Sequence, residues 1–247
     1  MINACPGQEQ PGLRTVAVKT EEQQGVLALH RMREQLVKFR TAQINGLRGL
    51  LAEYGEVMPK GRAGLKRDIP GALERVSERL PAMVVDSLRD QWARVLRTDE
   101  EIEVIERRLL LWHRTSEASR RLEEIPGVGV LTATAVVAAM GDPQAFRSGR
   151  EFAAWLGLVP RHVGTGGHVR ILGISKRGDR YLRTLLIHGA RAAITHAKAP
   201  SPWLSRLLER RPGNVVTVAL ANKNARTMWA LLAHDRRYER NFEGQPA

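Results

Sequence analysis

The sequence has one cysteine, Cys5, in 247 residues. A single thiol forms no internal disulfide and no thiolate metal cluster. Lying near Pro6 and Gly7, it reads as incidental. Aromatic residues are scarce at 5%, too few for a single-strand binder built on stacking platforms. No run of 18 apolar residues occurs, so no bilayer-spanning helix is expected. The first residues contain no apolar signal core, and a cytoplasmic protein without membrane attachment is expected. Acidic residues are also in short supply, 26 against 39 Lys and Arg, for a formal net charge of +13. A surplus of that size calls for a polyanionic partner, above all nucleic acid. The length suffices for one large domain or two modest ones with a real core.

Residues 1–19 contain Pro6, Gly7, Pro11 and Gly12 and little apolar periodicity, and read as a tail. Thr20 with Gln23 has the spacing of a helix-capping box. From there Val26, Leu29, Met32, Leu36, Phe39, Ile44, Leu47, Leu50 and Leu51 recur at mixed three- and four-residue steps, predicting a helix that ends at Gly55 and Pro59. Residues 59–67 read as a basic, glycine-containing loop, followed by a short helix near 69–79. A long helix is predicted over 82–112, with Val85, Leu88, Trp92, Val95, Ile102, Ile105 and Leu109 on its apolar stripe. Two long helices joined this way make an antiparallel hairpin core or one half of a coiled-coil dimer seam, and periodicity fits both. Glycine becomes frequent beyond Glu124. The expected organisation is a tail over 1–19, a helical coiled-coil segment over 20–119 and a compact domain over 120–247. The expected fold class is mainly α: a long helical hairpin, then a helical domain with a helix-hairpin-helix turn and one small β-hairpin.

The sharpest local signal is Ile125-Pro126-Gly127-Val128-Gly129, followed by a helix to about Met140. Such a turn, with Thr132 in the first helical turn behind it, can present backbone N–H groups to a phosphate. It can equally be a packed turn whose glycines serve only the bend. Ser148 and Glu151 form a second capping-box pair. Four glycines and a proline between 157 and 167 rule against helix and predict a hairpin with Gly166-Gly167 at its tip. Thr165 stands beside that tip as a nucleophile, a phosphate-contacting hydroxyl or a plain turn residue. Between 160 and 211 the basic residues include Arg161, Arg170, Lys176, Arg177, Arg180 and Arg183, opposed only by Asp179 and Glu209. A solvated face normally mixes signs, so this stretch reads as a phosphate-binding surface. A last helix is predicted over 214–238. The seven histidines are scattered without a convincing ligand set, so no metal site is expected.

Taken together, several segments resemble the insertion sequence 110 family of transposases, in particular its 1111 subgroup. They are Ile-Pro-Gly-Val-Gly at 125–129, Phe-Ala-Ala-Trp-Leu-Gly-Leu-Val-Pro-Arg at 152–161, and Gly-Ile-Ser-Lys-Arg-Gly-Asp-Arg-Tyr-Leu-Arg at 173–183. Lys-Thr-Glu-Glu-Gln-Gln at 19–24 and Ile-Asn-Gly-Leu-Arg-Gly-Leu-Leu at 44–51 extend the likeness, which covers roughly residues 14 to 240. The resemblance implies a DNA recombinase with an N-terminal RuvC-like domain. That domain's Asp-Glu-Asp-Asp tetrad binds divalent metal. A coiled coil follows, and then a C-terminal domain whose serine attacks a DNA phosphate. It also implies an oligomer guided by a bridge RNA.

This sequence departs from the pattern in two places. The likeness begins after the acidic tetrad, so no cofactor is expected in this chain. The family's serine falls on Thr165, where the β-branch restricts the hydroxyl. The expectation is an N-terminally truncated DNA-binding transposase without autonomous cleavage, acting as a homo-oligomer or beside a full-length transposase. The alternatives are a non-enzymatic nucleic-acid-binding regulator and a coding region that starts further upstream.

Overall fold

The computed structural model describes residues 18–165, 168–197 and 199–239; the side chains of Thr165, Val169 and Ile171 also fall outside it. Cys5 and the hairpin-tip residues Gly166 and Gly167 lie outside the described residues. The fold is mainly α, with one two-stranded sheet among the described residues. It forms two compact units: Gly25–Thr115, and Ser116–Ala247 together with Met1–Gln24.

The first unit is built from three helices, α1 (Glu21–Glu53), α2 (Arg62–Ser77) and α3 (Ala82–Thr115). The start of α1 is set locally, because Thr20 and Gln23 exchange side-chain-to-backbone hydrogen bonds of 3.2 and 3.1 Å and satisfy two N–H groups that the helix leaves open. Arg33 pairs with Glu106 at 2.7 Å and Arg40 with Asp99 at 2.7 Å. Seven residues forward on α1 is thus seven residues back on α3, which defines an antiparallel hairpin within one chain. A core of Ile44, Leu47, Leu51, Leu65, Ile69, Leu73, Val76, Leu88 and Val95 fills the end where the three helices meet.

The sequence reading of 59–67 as loop is corrected here. Helix α2 begins at Arg62 and runs straight through Pro70. Proline removes one hydrogen bond and Gly64 and Gly71 weaken the segment further. Against that, Leu65, Ile69, Leu73 and Val76 recur at helical spacing and are at most 6% exposed. Burial of that face outweighs poor local propensity, as is usual for helices in a packed core. Arg48 fastens the loop before α2 by donating to the carbonyls of Pro59 and Gly61 at 2.9 and 2.6 Å.

The second unit contains α4 (Glu117–Glu123), α5 (Val130–Met140), α6 (Gly149–Trp155), the strands β1 (Pro160–Thr165) and β2 (His168–Ile174), α7 (Arg180–Thr195), α8 (Pro202–Arg210) and α9 (Gly213–Ala233). Helix α5 is apolar on every side and eight of its residues are buried, which makes it a central helix rather than an amphipathic surface one. Helix α9 packs against α4, α6, α7 and α8. It stops at Ala233, short of the predicted 238, and Asp235 beyond it has φ 51. Ser148 caps α6 by accepting from Glu151 N–H at 3.3 Å, and Phe146, Phe152 and Trp155 form an edge-and-stack aromatic cluster beside it.

Candidate nucleic-acid interface

The turn between α4 and α5 is held from inside. Ile125 and Val128 are buried, and Val128 N–H closes on Ile125 carbonyl at 2.9 Å. Gly127 has φ 87, and a Cβ there would lie 2.5 Å from the Gly189 carbonyl oxygen on α7. The two glycines therefore let the turn and α7 touch backbone to backbone, which any side chain would prevent. Asn224 on α9 donates to the Pro126 carbonyl at 3.0 Å. Gly129 is exposed, has open space where a Cβ would point, and leads α5 with no side-chain cap. Gly127 thus faces inward and Gly129 outward. Thr132, at 5% exposure, is part of the packed interior.

The basic stretch sits on a second glycine interlock. Gly157 has φ 72 and Gly178 has φ 98. A Cβ on Gly157 would collide with the Arg177 backbone, and one on Gly178 with the Trp155 carbonyl oxygen. Ser175 N–H donates to Val159 at 2.8 Å and Lys176 N–H to Gly157 at 3.2 Å. The loop 175–179 is thereby clamped to the end of α6, with Lys176 itself at φ 55. Asp179 caps α7 by accepting from Leu182 N–H at 3.0 Å. Arg183 is drawn inward: it is 9% exposed and donates to the Leu156 carbonyl at 3.0 Å. Its guanidinium satisfies the open end of α6.

What remains outside is a row of exposed cations. Arg161 stands on β1, Arg170 on β2, Lys176 and Arg177 on the clamped loop, and Arg180 at the head of α7. Among the described residues no carboxylate pairs with any of these five. The strands pair antiparallel, Val163 with Arg170 and Thr165 with His168, with an irregularity between Pro160 and His162. Thr165 is the last residue of β1; its side chain is outside the described residues.

A groove of about 1700 Å³ lies beside this row. Leu158, Leu172, Val215 and Val218 supply apolar lining, while Arg150, Lys176, Lys223, Arg226, Arg236 and Arg237 supply charge against Glu239 alone. At one side of the groove Gly149 lets α6 pack closely on α9 at Arg226, where a Cβ would meet the Arg226 carbonyl oxygen at 2.9 Å. Lys223 Nζ stands 4.5 Å above the Trp203 ring, and Asn222 donates to the Leu158 carbonyl at 3.2 Å. Of the cations singled out in the sequence, Lys176 lines this groove. Arg150, Lys223 and Arg226 were not singled out. The turn glycines Gly127 and Gly129 are not part of it. The spacing of Asn222, Lys223 and Arg226 on one side of α9 is the signal that could have found it.

Residues 119–205 match the family model described as Transposase IS116/IS110/IS902 family. The chain is 46% identical over 239 residues to the "Probable family 20 transposase" of Pseudomonas aeruginosa, covering 95% of this chain and 71% of that protein. The chain belongs to the IS116/IS110/IS902 transposase family. It is also 44% identical over 230 residues to the transposase for insertion sequence element IS1111A of Coxiella burnetii, covering 92% of this chain and 63% of that one. The corresponding protein for IS1328 of Yersinia enterocolitica is 39% identical, with 92% of this chain and 68% of that protein covered. This chain therefore spans about two thirds of the length of such transposases. Among the described residues no three His, Cys, Asp or Glu side chains converge to hold a metal ion. No described helix is long and apolar enough to cross a membrane.

Proposed function

We propose that this transposase-family chain binds nucleic acid through its C-terminal unit, gripping the sugar-phosphate backbone. The observation that carries the reading is the row of Arg161, Arg170, Lys176, Arg177 and Arg180. These side chains are exposed without a carboxylate partner among the described residues, on a backbone clamped by Gly157 and Gly178. Displayed cations on a fixed frame suit phosphates, which position a protein without carrying sequence information. Gly129 and the uncapped start of α5 would supply backbone N–H donors to the same polymer. Arg183 and Gly127 then act through the frame rather than by contact, and Thr132 acts through packing.

The binding reading is tested by fluorescence anisotropy on duplex DNA and on structured RNA across a salt series. Affinity should fall steeply with salt, because each neutralised phosphate releases counterions. Lys176→Glu, Arg177→Glu and Arg180→Glu should each reduce the salt slope by about one on the preferred polymer. Binding that ignores salt, or that all three variants leave intact, would refute the reading. Preference for structured RNA would support the bridge-RNA partner, and preference for duplex the DNA partner.

We further propose that this chain forms no covalent link to DNA through Thr165, working as a homo-oligomer or beside another transposase of its family. Thr165 at the serine position supports this, since its methyl group restricts approach of the hydroxyl. A covalent protein–DNA adduct formed by this chain and abolished by Thr165→Ala would overturn it. Salt-sensitive binding with no adduct is expected.

A further inference from the structure

Helix α9 has one face that its own unit leaves open. Val216, Thr217, Ala221, Asn224, Ala225 and Met228 are buried on one side. Val215, Val218, Ala219, Asn222, Arg226 and Ala230 recur at helical spacing on the other and line the groove of about 1700 Å³. From Val215 to Ala230 the open face is about 22 Å long. Its apolar residues come first. Val215 and Val218 lie near the start of α9, and the facing wall supplies Leu158, Leu172 and Ile174. Val215 is 51% and Leu172 41% exposed, so large aliphatic side chains stand in water here. The cations gather towards the other end. Arg226 lies further along α9, Arg150 follows Gly149, which packs on Arg226, and Arg236 and Arg237 come just after the helix stops at Ala233. These four arginines have no carboxylate partner among the described residues.

We propose that this groove is a docking site for a protein partner, an amphipathic helix of about 15 residues with an apolar stripe and acidic flanks. The aliphatic floor receives the stripe, as helix-in-groove recognition requires. The arginines receive the carboxylates in charge-assisted hydrogen bonds. Size, lining and charge single out this occupant. The groove exceeds the roughly 300–1,000 Å³ of small-ligand pockets. Duplex nucleic acid presents phosphates and polar base edges, with little to lay on Val215 and Leu172. An unpaired strand calls for free aromatic platforms, whereas this floor is aliphatic and Lys223 already covers the Trp203 ring at 4.5 Å. A second copy of the chain brings no matching helix, because its acidic run from Asp99 to Glu103 is flanked by Arg97, Arg107 and Arg108. The inference stands apart from the phosphate row, of which only Lys176 lines the groove.

The test uses the full chain and a fluorescein-labelled peptide of about 18 residues, with Leu at every third and fourth position and Ala and Glu between. Anisotropy should report saturable binding. Val215→Glu and Arg226→Glu should each weaken it about tenfold or more, and Arg180→Glu should leave it unchanged. Val215 and Arg226 are exposed, so both variants are expected to fold, with circular dichroism as the check. Val215→Glu should keep the salt-dependent DNA binding of the parent, so that failure of the groove and failure of the phosphate row are read separately. No peptide binding up to the solubility limit overturns the proposal. Equal binding of a peptide of the same composition with its leucines scattered around the helix also overturns it, because bare charge would then suffice. So does an unpaired oligothymidine that displaces the peptide and loses affinity in Val215→Glu, which would make the groove a strand channel.

Discussion

The two compact units are both rich in arginine and use it in opposite ways. Residues 25–115 hold 17 Lys and Arg against 13 Asp and Glu, and residues 116–247 hold 20 against 10. In the hairpin unit Arg33, Arg40, Arg62, Arg75 and Arg79 all end on carboxylates. Asp99 takes two of them and is itself only 13% exposed. Glu56, in the loop just after α1, takes Arg75 and Arg79, and the Arg75 hydrogen bond holds its carboxyl below the usual carboxylate range. Those cations fix helix against helix. In the C-terminal unit Arg121 also ends on carboxylates, those of Glu117 and Asp235, and Arg183 turns inward, but the row from Arg161 to Arg180 ends in solvent. The difference teaches that a count of basic residues is a poor guide to a phosphate surface. What marks one is charge left without a partner on a backbone held still.

The severest way to break the contrast is to unlock that backbone. Gly178→Ala places a methyl group against the Trp155 carbonyl at a backbone angle that alanine avoids. It should destabilise the C-terminal unit by about 3 kcal/mol or more, read by denaturant unfolding, with DNA binding lost alongside. Charge reversal at Lys176 leaves the clamp intact and should weaken binding at unchanged stability. If Gly178→Ala were as stable as the parent, the interlock would not be what presents the cations.

Acid probes the hairpin unit next. Burial, with the charge of Arg33 second, lowers the His30 imidazole from 6.5 to about 4. The folded chain holds His30 neutral while the unfolded chain takes up a proton more readily. This contribution is complete above pH 6.5 and is lost as the pH falls from there toward 4. The full span is about 3 kcal/mol, and urea unfolding at pH 7 and pH 4.5 should register most of it. His30→Gln should flatten that slope; an unchanged slope would remove His30 as its source.

Smaller effects sharpen the comparison. Asp99→Ala leaves Arg40 largely buried without its carboxylate and should cost about 2 kcal/mol of stability, with DNA affinity unchanged. A loss of DNA affinity instead would erase the division between fastening and displayed cations. Arg107→Ala removes an exposed pair with Glu103 at 3.9 Å and should shift stability by less than about 0.5 kcal/mol, within the error of most unfolding curves.

Much of the fold was legible because it is written locally. The Thr20–Gln23 and Ser148–Glu151 caps, the stripe of α3 and the glycine turn into α5 all depend on residues within a few positions of one another. The second half of α2 was legible as a helix near 69–79, but its start at Arg62 was not, since Gly64 and Pro70 argue against it and only burial of Leu65 and Ile69 overrules them. The apolar residues of α1 recur at mixed steps because they belong to two faces: Ile44, Leu47 and Leu51 are covered, while Met32 and Phe39 are not. At the candidate interface the basic bias between 160 and 211 was visible. The inward turn of Arg183, the burial of Thr132 and the groove shared by Arg150, Lys176, Lys223 and Arg226 were not, because each depends on segments distant in sequence.

The sequence by itself determined the scarcities with which it presents itself: a lone thiol, few aromatics, no spanning apolar run and too few acids for its bases. Those are properties of composition, and they hold whatever the fold. It also determined the helices with strong periods and caps and, through joined motifs, the transposase family. Only the tertiary structure decided which arginines are spent inside the molecule and which face outward. Pairing depends on where carboxylates and carbonyls from remote segments arrive, and residue counts carry no record of that.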